Sequence, residues 1–151
     1  MDNIDIRILK LLQKNARISI SEISNIINLS IPAVSDRLKK LYNSGVIKKY
    51  TIIVNNKKFN KNLTSILFVS LKDPVFTDKF IKIIENEDEI VEYSYLVGDF
   101  DFMLKVVTRD TETLQKILHR IKYIDGIERV KAIIVLSTVK KVNLTLPDKV
   151  K

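Results

Sequence analysis

A chain of 151 residues, 46% apolar and 29% charged, can build one or two cores but is too short for a multi-domain enzyme of ordinary size. With no cysteine, no tryptophan and one histidine, His119, it excludes disulfides, thiolate zinc sites and a cysteine nucleophile, and it offers no histidine cluster for a metal. The net charge of +8 is uneven: residues 1–60 hold 11 Lys+Arg against 4 Asp+Glu and residues 61–151 hold 15 against 14, so an anionic polymer is the expected partner of the first part. Codon bias towards Lys and Ile would enrich lysine throughout, but it would not keep acids out of the first 60 residues. The longest apolar runs, such as Ile133 to Leu136, fall far short of the roughly 20 residues a membrane helix needs. The N-terminus carries acids where a signal peptide carries positive charge. A soluble, cytoplasmic protein with no cofactor and no membrane partner is expected.

In chain order, Ile4, Ile8, Leu11 and Leu12 follow the spacing of one buried helix face. Ser19 and Glu22 have the spacing of a capping box, with Ile18 and Ile23 beside it and Ile26 and Ile27 continuing the apolar face. That second helix is short and ends at Asn28-Leu29-Ser30. Ser30 is a natural N-cap for a third helix, with Pro32 in its first turn, Val34, Leu38 and Leu41 inward and Gly45 ending it. Val46 to Val54 reads as a strand. A short helix, a tight turn and a longer helix make a helix-turn-helix. Its third helix leaves Ile31, Ala33, Ser35, Asp36, Arg37, Lys39 and Lys40 outward or sideways. Small residues near its start permit close approach to a DNA groove, and Arg37, Lys39 and Lys40 can reach phosphates or guanine edges. The same spacing also suits a plain three-helix bundle with a solvated basic face; the basic excess of the segment favours DNA.

The polar run 55–62 is the candidate linker. After it the pattern is β-α-β-β-α-β. A strand over Thr64–Leu71 leads to Asp73 as N-cap, Pro74 at the first helical position, and a helix to about Asn86 with Phe76, Phe80, Ile83 and Ile84 inward. Strands follow over Ile90–Val97 and Phe100–Thr108. A helix from about Asp110 to Tyr123 buries Leu114, Ile117, Leu118 and Ile121, and Gly126 turns the chain into a strand over Ile127–Thr138. This order predicts a ferredoxin-like antiparallel sheet with both helices on one face. The first strand, Ile66-Leu67-Phe68-Val69, is apolar on both faces, so the uncovered face is expected to meet a second copy of itself in a dimer. The expected class is α+β, with a winged helix-turn-helix at 1–50, a linker strand and hinge at 51–62, and a regulatory domain at 63–151.

The residues Ile4-Asp5, Ile8-Leu9, Leu12-Gln13, Arg17-Ile18, Leu29-Ser30, Val34, Arg37-Leu38, Leu41 and Gly45 to Tyr50, together with Gly98-Asp99-Phe100-Asp101, resemble the leucine-responsive regulator/AsnC family over nearly the whole chain. The resemblance implies a transcriptional regulator, not an enzyme. It implies binding to double-stranded DNA, dimers joined through their sheets, further assembly to octamers, and a small amino-acid effector bound between dimers at Gly98–Asp101.

Ser30, Ile31, Ala33, Ser35, Asp36, Arg37, Lys39 and Lys40 are the candidate DNA-binding residues. Asp36 is an unusual acid for this helix, suited to a cytosine amino group or to orienting Arg37, and Ile31 suits a thymine methyl group. Tyr95, Leu96, Val97, Gly98, Asp99, Phe100 and Asp101 are the candidate effector loop. By itself, Gly-Asp-x-Asp is an ordinary turn sequence, and its ligand count is too low for Ca²⁺. In the family context it offers an acceptor for an ammonium and N–H donors for a carboxylate. Gln115, His119, Lys131, Ala132 and Ile133 are the expected side-chain pocket. With Tyr95 it would be polar, favouring glutamine, asparagine, arginine or lysine over leucine, because buried polar groups left unpaired are costly. Two alternatives remain open. One is a sirohaem-decarboxylase-like enzyme on this architecture, disfavoured by the lone histidine. The other is an effector-independent architectural DNA-binding protein.

Overall fold

The computed structural model describes residues 1–140 and 146–147, so the tail at 141–145 and 148–151, within the predicted regulatory domain, lies outside the described residues. Two compact units divide the described residues, 1–53 with 146–147, and 54–140.

The first unit holds α1 (Asn3–Lys14), α2 (Ile20–Ile27) and α3 (Ile31–Asn43). Local chemistry sets each boundary. Asp2 caps α1 in a reciprocal box with Asp5, and Ser19 caps α2 in a second box with Glu22. The left-handed Asn28 ends α2, and Ser30 caps α3 with proline in its first turn. Ile8, Leu9, Ile23, Ile27, Val34 and Leu41 form the buried core, with Ile4, Leu11, Leu12, Leu38 and Leu146 packed against it. The core face of α1 therefore runs through Ile8 and Leu9, while the expected Leu11 and Leu12 are only half-buried.

The strand expected over Val46–Val54 is absent. Its β-branched composition suits a strand, but a strand also needs a hydrogen-bonded neighbour, and among the described residues no strand pairs with this segment. Ile52 and Ile53 consequently stand 81% exposed.

The second unit is an antiparallel sheet in the order β2-β3-β1-β4, formed by β1 (Leu63–Leu71), β2 (Ile90–Tyr95), β3 (Phe102–Thr108) and β4 (Ile127–Val135). Its helices are α4 (Thr77–Ile84) and α5 (Thr111–Lys122). The expected first helix of this unit starts instead as a 3-10 turn, Pro74–Phe76, capped by Asp73. Ile83, expected inward, is exposed, because α4 buries Phe80 and Ile84 at the four-residue spacing of one face. Gly126, with φ +88°, sits where a Cβ would fall 2.1 Å from Cγ of Phe76, so the entry to β4 admits only glycine.

Register divides the sheet cleanly. Leu67 lies opposite Leu104 and Ala132, and Val69 opposite Phe102 and Val130. This face carries the core, closed by Phe80 and Ile84 of α4 and by Leu114, Ile117 and Ile121 of α5. One residue along, Ile66 faces Lys105 and Ile133, and Phe68 faces Met103 and Lys131, on the side away from that core. Ile66, Phe68 and Met103 are half-buried there and Ile133 is exposed.

Candidate functional site

In α3 the predicted outward set is not uniform. Ile31, Asp36, Lys39 and Lys40 are exposed, and Ala33 and Ser35 are half-buried. The Ser30 hydroxyl accepts the Ala33 N–H at 3.4 Å, so this N-cap serves the helix. Arg37 departs from the expectation. Its Nη1 donates to Oδ2 of Asp2 at 2.7 Å and to Oδ1 of Asp5 at 2.8 Å, so it is committed to the start of α1 and not held out to a phosphate. The two carboxylates raise its pKa above the usual guanidinium value, Asp5 contributing most. The Asp5 N–H and then Arg37 hold the Asp2 carboxyl below its usual range. The expectation that Asp36 orients Arg37 is replaced by Asp2 and Asp5. The D-x-x-D spacing of Asp2 and Asp5 is a legible cap signal that charge counting alone overlooks.

The loop joining β2 to β3 is latched to the end of β1. The Leu96 N–H donates to the Asp101 carbonyl at 2.7 Å, and the Asp101 N–H to the Val69 carbonyl at 2.9 Å. Oδ2 of Asp101 accepts the Leu71 N–H at 2.7 Å, so this acid closes the loop as well as offering charge. The Asp99 carbonyl accepts from the Ser70 hydroxyl at 3.3 Å and from Nη2 of Arg129 at 3.0 Å. The guanidinium of Arg129 also lies 4.5 Å from the centre of the Phe100 ring, which packs 5.4 Å from Phe68. Arg129, absent from the sequence reading, thus ties the loop to the uncovered sheet face. Gly98 has φ +143° with open space where a Cβ would stand, so its requirement is conformational. Asp99, Gly98 and Val97 are exposed.

The expected side-chain pocket is not assembled in one chain. Tyr95 stands on β2, one edge of the sheet, 62% exposed and 5.1 Å from the Phe102 ring. Lys131, Ala132 and Ile133 stand on β4, the other edge. Gln115 and His119 are exposed on α5, which packs against β4 and β3, and His119 stacks on Tyr123 at 4.5 Å. Within one chain, sheet order places Tyr95 and the β4 residues on opposite edges, while Gln115 and His119 lie on the helix that packs against β4. A cleft of about 430 Å³ lies elsewhere, lined by Asn55, Lys57, Asn62, Thr64, Val135 and Ser137 among others, and contains none of the predicted residues. Among the described residues no group of three or more His, Cys, Asp or Glu is placed to hold a metal ion, and no helix is long and apolar enough to cross a membrane.

Residues 1–48 match the winged helix-turn-helix DNA-binding family, and residues 64–144 match the Lrp/AsnC ligand binding domain. The HTH-type transcriptional regulator FL11 of Pyrococcus furiosus is 34% identical over 149 residues, covering 99% of this chain and 97% of its own. The HTH-type transcriptional regulator LrpB of Bacillus subtilis is 36% identical over 119 residues, 79% of each chain. Among solved structures, AsnC of E. coli superposes with a TM-score of 0.89 at 27% identity, covering 95% of this chain and 97% of that one. A transcriptional regulator of Neisseria meningitidis in complex with L-Met superposes with a TM-score of 0.90 at 25% identity, covering 95% and 94%.

Proposed function

The chain belongs to the Lrp/AsnC family of transcriptional regulators, and from that premise we propose that it binds operator DNA through α3 and answers to a polar amino acid at the Tyr95–Asp101 loop. The single observation that carries this reading is the pairing, in one chain, of a helix-turn-helix with a latched Gly98–Asp101 hairpin. Ile31, Ser35, Lys39 and Lys40 supply the contact surface of α3: an apolar group for a thymine methyl, a hydroxyl, and two cations for phosphates. The exposed hairpin supplies the Asp99 carboxylate for an ammonium and loop N–H groups for a carboxylate.

Dimerisation follows from the uncovered face bearing Ile66, Phe68 and Met103, which needs an apolar partner. Because the pocket residues lie on opposite edges of one chain, an effector pocket drawing on both needs a second copy. The reading therefore includes assembly of dimers towards octamers, and effector binding that shifts this assembly. Its setting is the cytoplasm, where DNA and free amino acids meet. The Neisseria relative holds L-Met, an apolar side chain; here Tyr95, Gln115 and His119 favour glutamine, asparagine, arginine or lysine.

Calorimetric titration of the full chain with the twenty amino acids, beside sedimentation velocity, tests the proposal. A polar amino acid should bind ahead of leucine and change the sedimentation coefficient. Preference for leucine or methionine would overturn the pocket, and no binding by any amino acid would favour an architectural, effector-free DNA-binding protein.

A further inference from the structure

Four carboxylate oxygens at the start of α1 are all engaged, and their arrangement is closed. Oδ1 of Asp2 accepts the Asp5 N–H at 2.9 Å, and Oδ2 of Asp5 accepts the Asp2 N–H at 2.8 Å. The remaining oxygen of each acid receives the same atom, Nη1 of Arg37, at 2.7 and 2.8 Å. The cap of α1 and the middle of α3, more than 30 residues apart, therefore share one ion cluster. Asp5 is its inner member, with 12% of its side chain exposed against 29% for Arg37 and 50% for Asp2.

We propose that Arg37 is a positioning residue for DNA recognition and not a DNA contact: Asp2 and Asp5 hold it so that α3 keeps one fixed angle to α1. The apolar core beneath α3, with Val34 and Leu41 buried, resists separation of the helices but is weakly directional about their rotation. Two charge-assisted hydrogen bonds converging on one nitrogen supply the missing direction. A fixed angle aligns Ile31, Ser35 and Lys39 with base edges, which is what distinguishes specific from non-specific binding. The inference rests on α3 being the DNA-contacting helix.

The sign of one substitution separates positioning from contact. If Arg37 reached phosphate, Asp5→Asn would remove a repelling acid, release the guanidinium and strengthen DNA binding. A positioning cluster predicts the opposite. The test uses the full-length chain, a duplex selected in vitro against it, and a duplex of unrelated sequence, each titrated across salt concentration. Asp5→Asn and Arg37→Ala should each weaken the selected duplex about tenfold, and the double variant should be no worse than either single one. Binding to the unrelated duplex and the log-affinity versus log-salt slope should stay unchanged. Arg37→Lys, which keeps a donor to both acids, should restore part of the specific affinity. Tighter binding by Asp5→Asn, or a slope smaller by about 0.9 in Arg37→Ala, overturns the inference. Should Arg37→Ala fail to fold, Asp5→Asn and Arg37→Lys still decide it. Lys39→Ala provides the separate control: if it changes neither affinity nor slope, α3 is not the contacting helix, whatever Arg37 does.

Discussion

The two units solve the same problem differently. In the helical unit the apolar stripes of α1, α2 and α3 meet one another, and the polar cluster that orients them, Arg37 with Asp2 and Asp5, is complete within the chain. In the sheet unit α4 and α5 cover one face, and among the described residues no helix or strand layer covers the residues facing away, Ile66, Phe68 and Met103. Its polar cluster is also outward-looking: Arg129 joins the Asp99 carbonyl to the ring of Phe100, which packs on Phe68. The helical unit closes its core with its own helices, whereas the sheet unit leaves one face for the second copy proposed above.

The contrast can be broken first on the uncovered face. Phe68→Asp should abolish dimerisation at micromolar concentration, an unpaired charge in such an interface costing about 4 kcal/mol, while the helical unit keeps its fold. Sedimentation equilibrium with circular dichroism checks this; a stable dimer in the variant would mean the sheets do not meet. Next in size is Gly126→Ala, which must displace the Phe76 ring and strain a positive φ. A loss of about 3 kcal/mol, confined to the sheet unit, is expected in calorimetric melting. Asp101→Ala should be milder, about 2 kcal/mol, since it leaves the Leu71 N–H without its acceptor. It should also remove the response to every amino acid, which thermal-shift measurements with saturating ligand would register.

The smallest effect is a pH dependence. The Thr113 backbone N–H and hydroxyl, and then Arg109, hold the Asp110 carboxyl down to about 2 from an ordinary 3.8. A folded-state pKa below the unfolded one adds stability that is complete above about 3.8 and is lost as pH falls towards about 2. Asp110→Asn, which keeps a side-chain oxygen for the cap, should flatten this part of the acid-unfolding curve. An unchanged curve between those pH values would show that Asp110 does not carry it.

What the sequence disclosed was local. Ser19 with Glu22, Ser30 before Pro32, and Asp73 before Pro74 each place a donor and an acceptor within three residues, so the cap is readable without knowing the fold. The run Ile66-Leu67-Phe68-Val69 likewise shows β1 to be apolar on both faces, but not which face the helices cover. Contacts between distant residues were not readable. Nothing near Arg37 indicates that its partners are Asp2 and Asp5, and nothing near Arg129 indicates Asp99 and Phe100. The segment ending Ile52-Ile53-Val54 shows the converse failure: strand composition is present, but among the described residues the pairing that makes a strand is not. The candidate effector residues Tyr95, Gln115 and His119 group by chemistry, whereas sheet order sets Tyr95 and β4 on opposite edges.

A regulator of the proposed kind couples DNA and amino acid in one protein. The measure of this coupling is the affinity of the full-length chain for an in vitro selected duplex, read by fluorescence anisotropy with saturating glutamine, asparagine, arginine, lysine or leucine. At least one polar amino acid should move the midpoint about tenfold, with leucine well behind. Equal midpoints in all five, or leucine moving it furthest, would contradict the account.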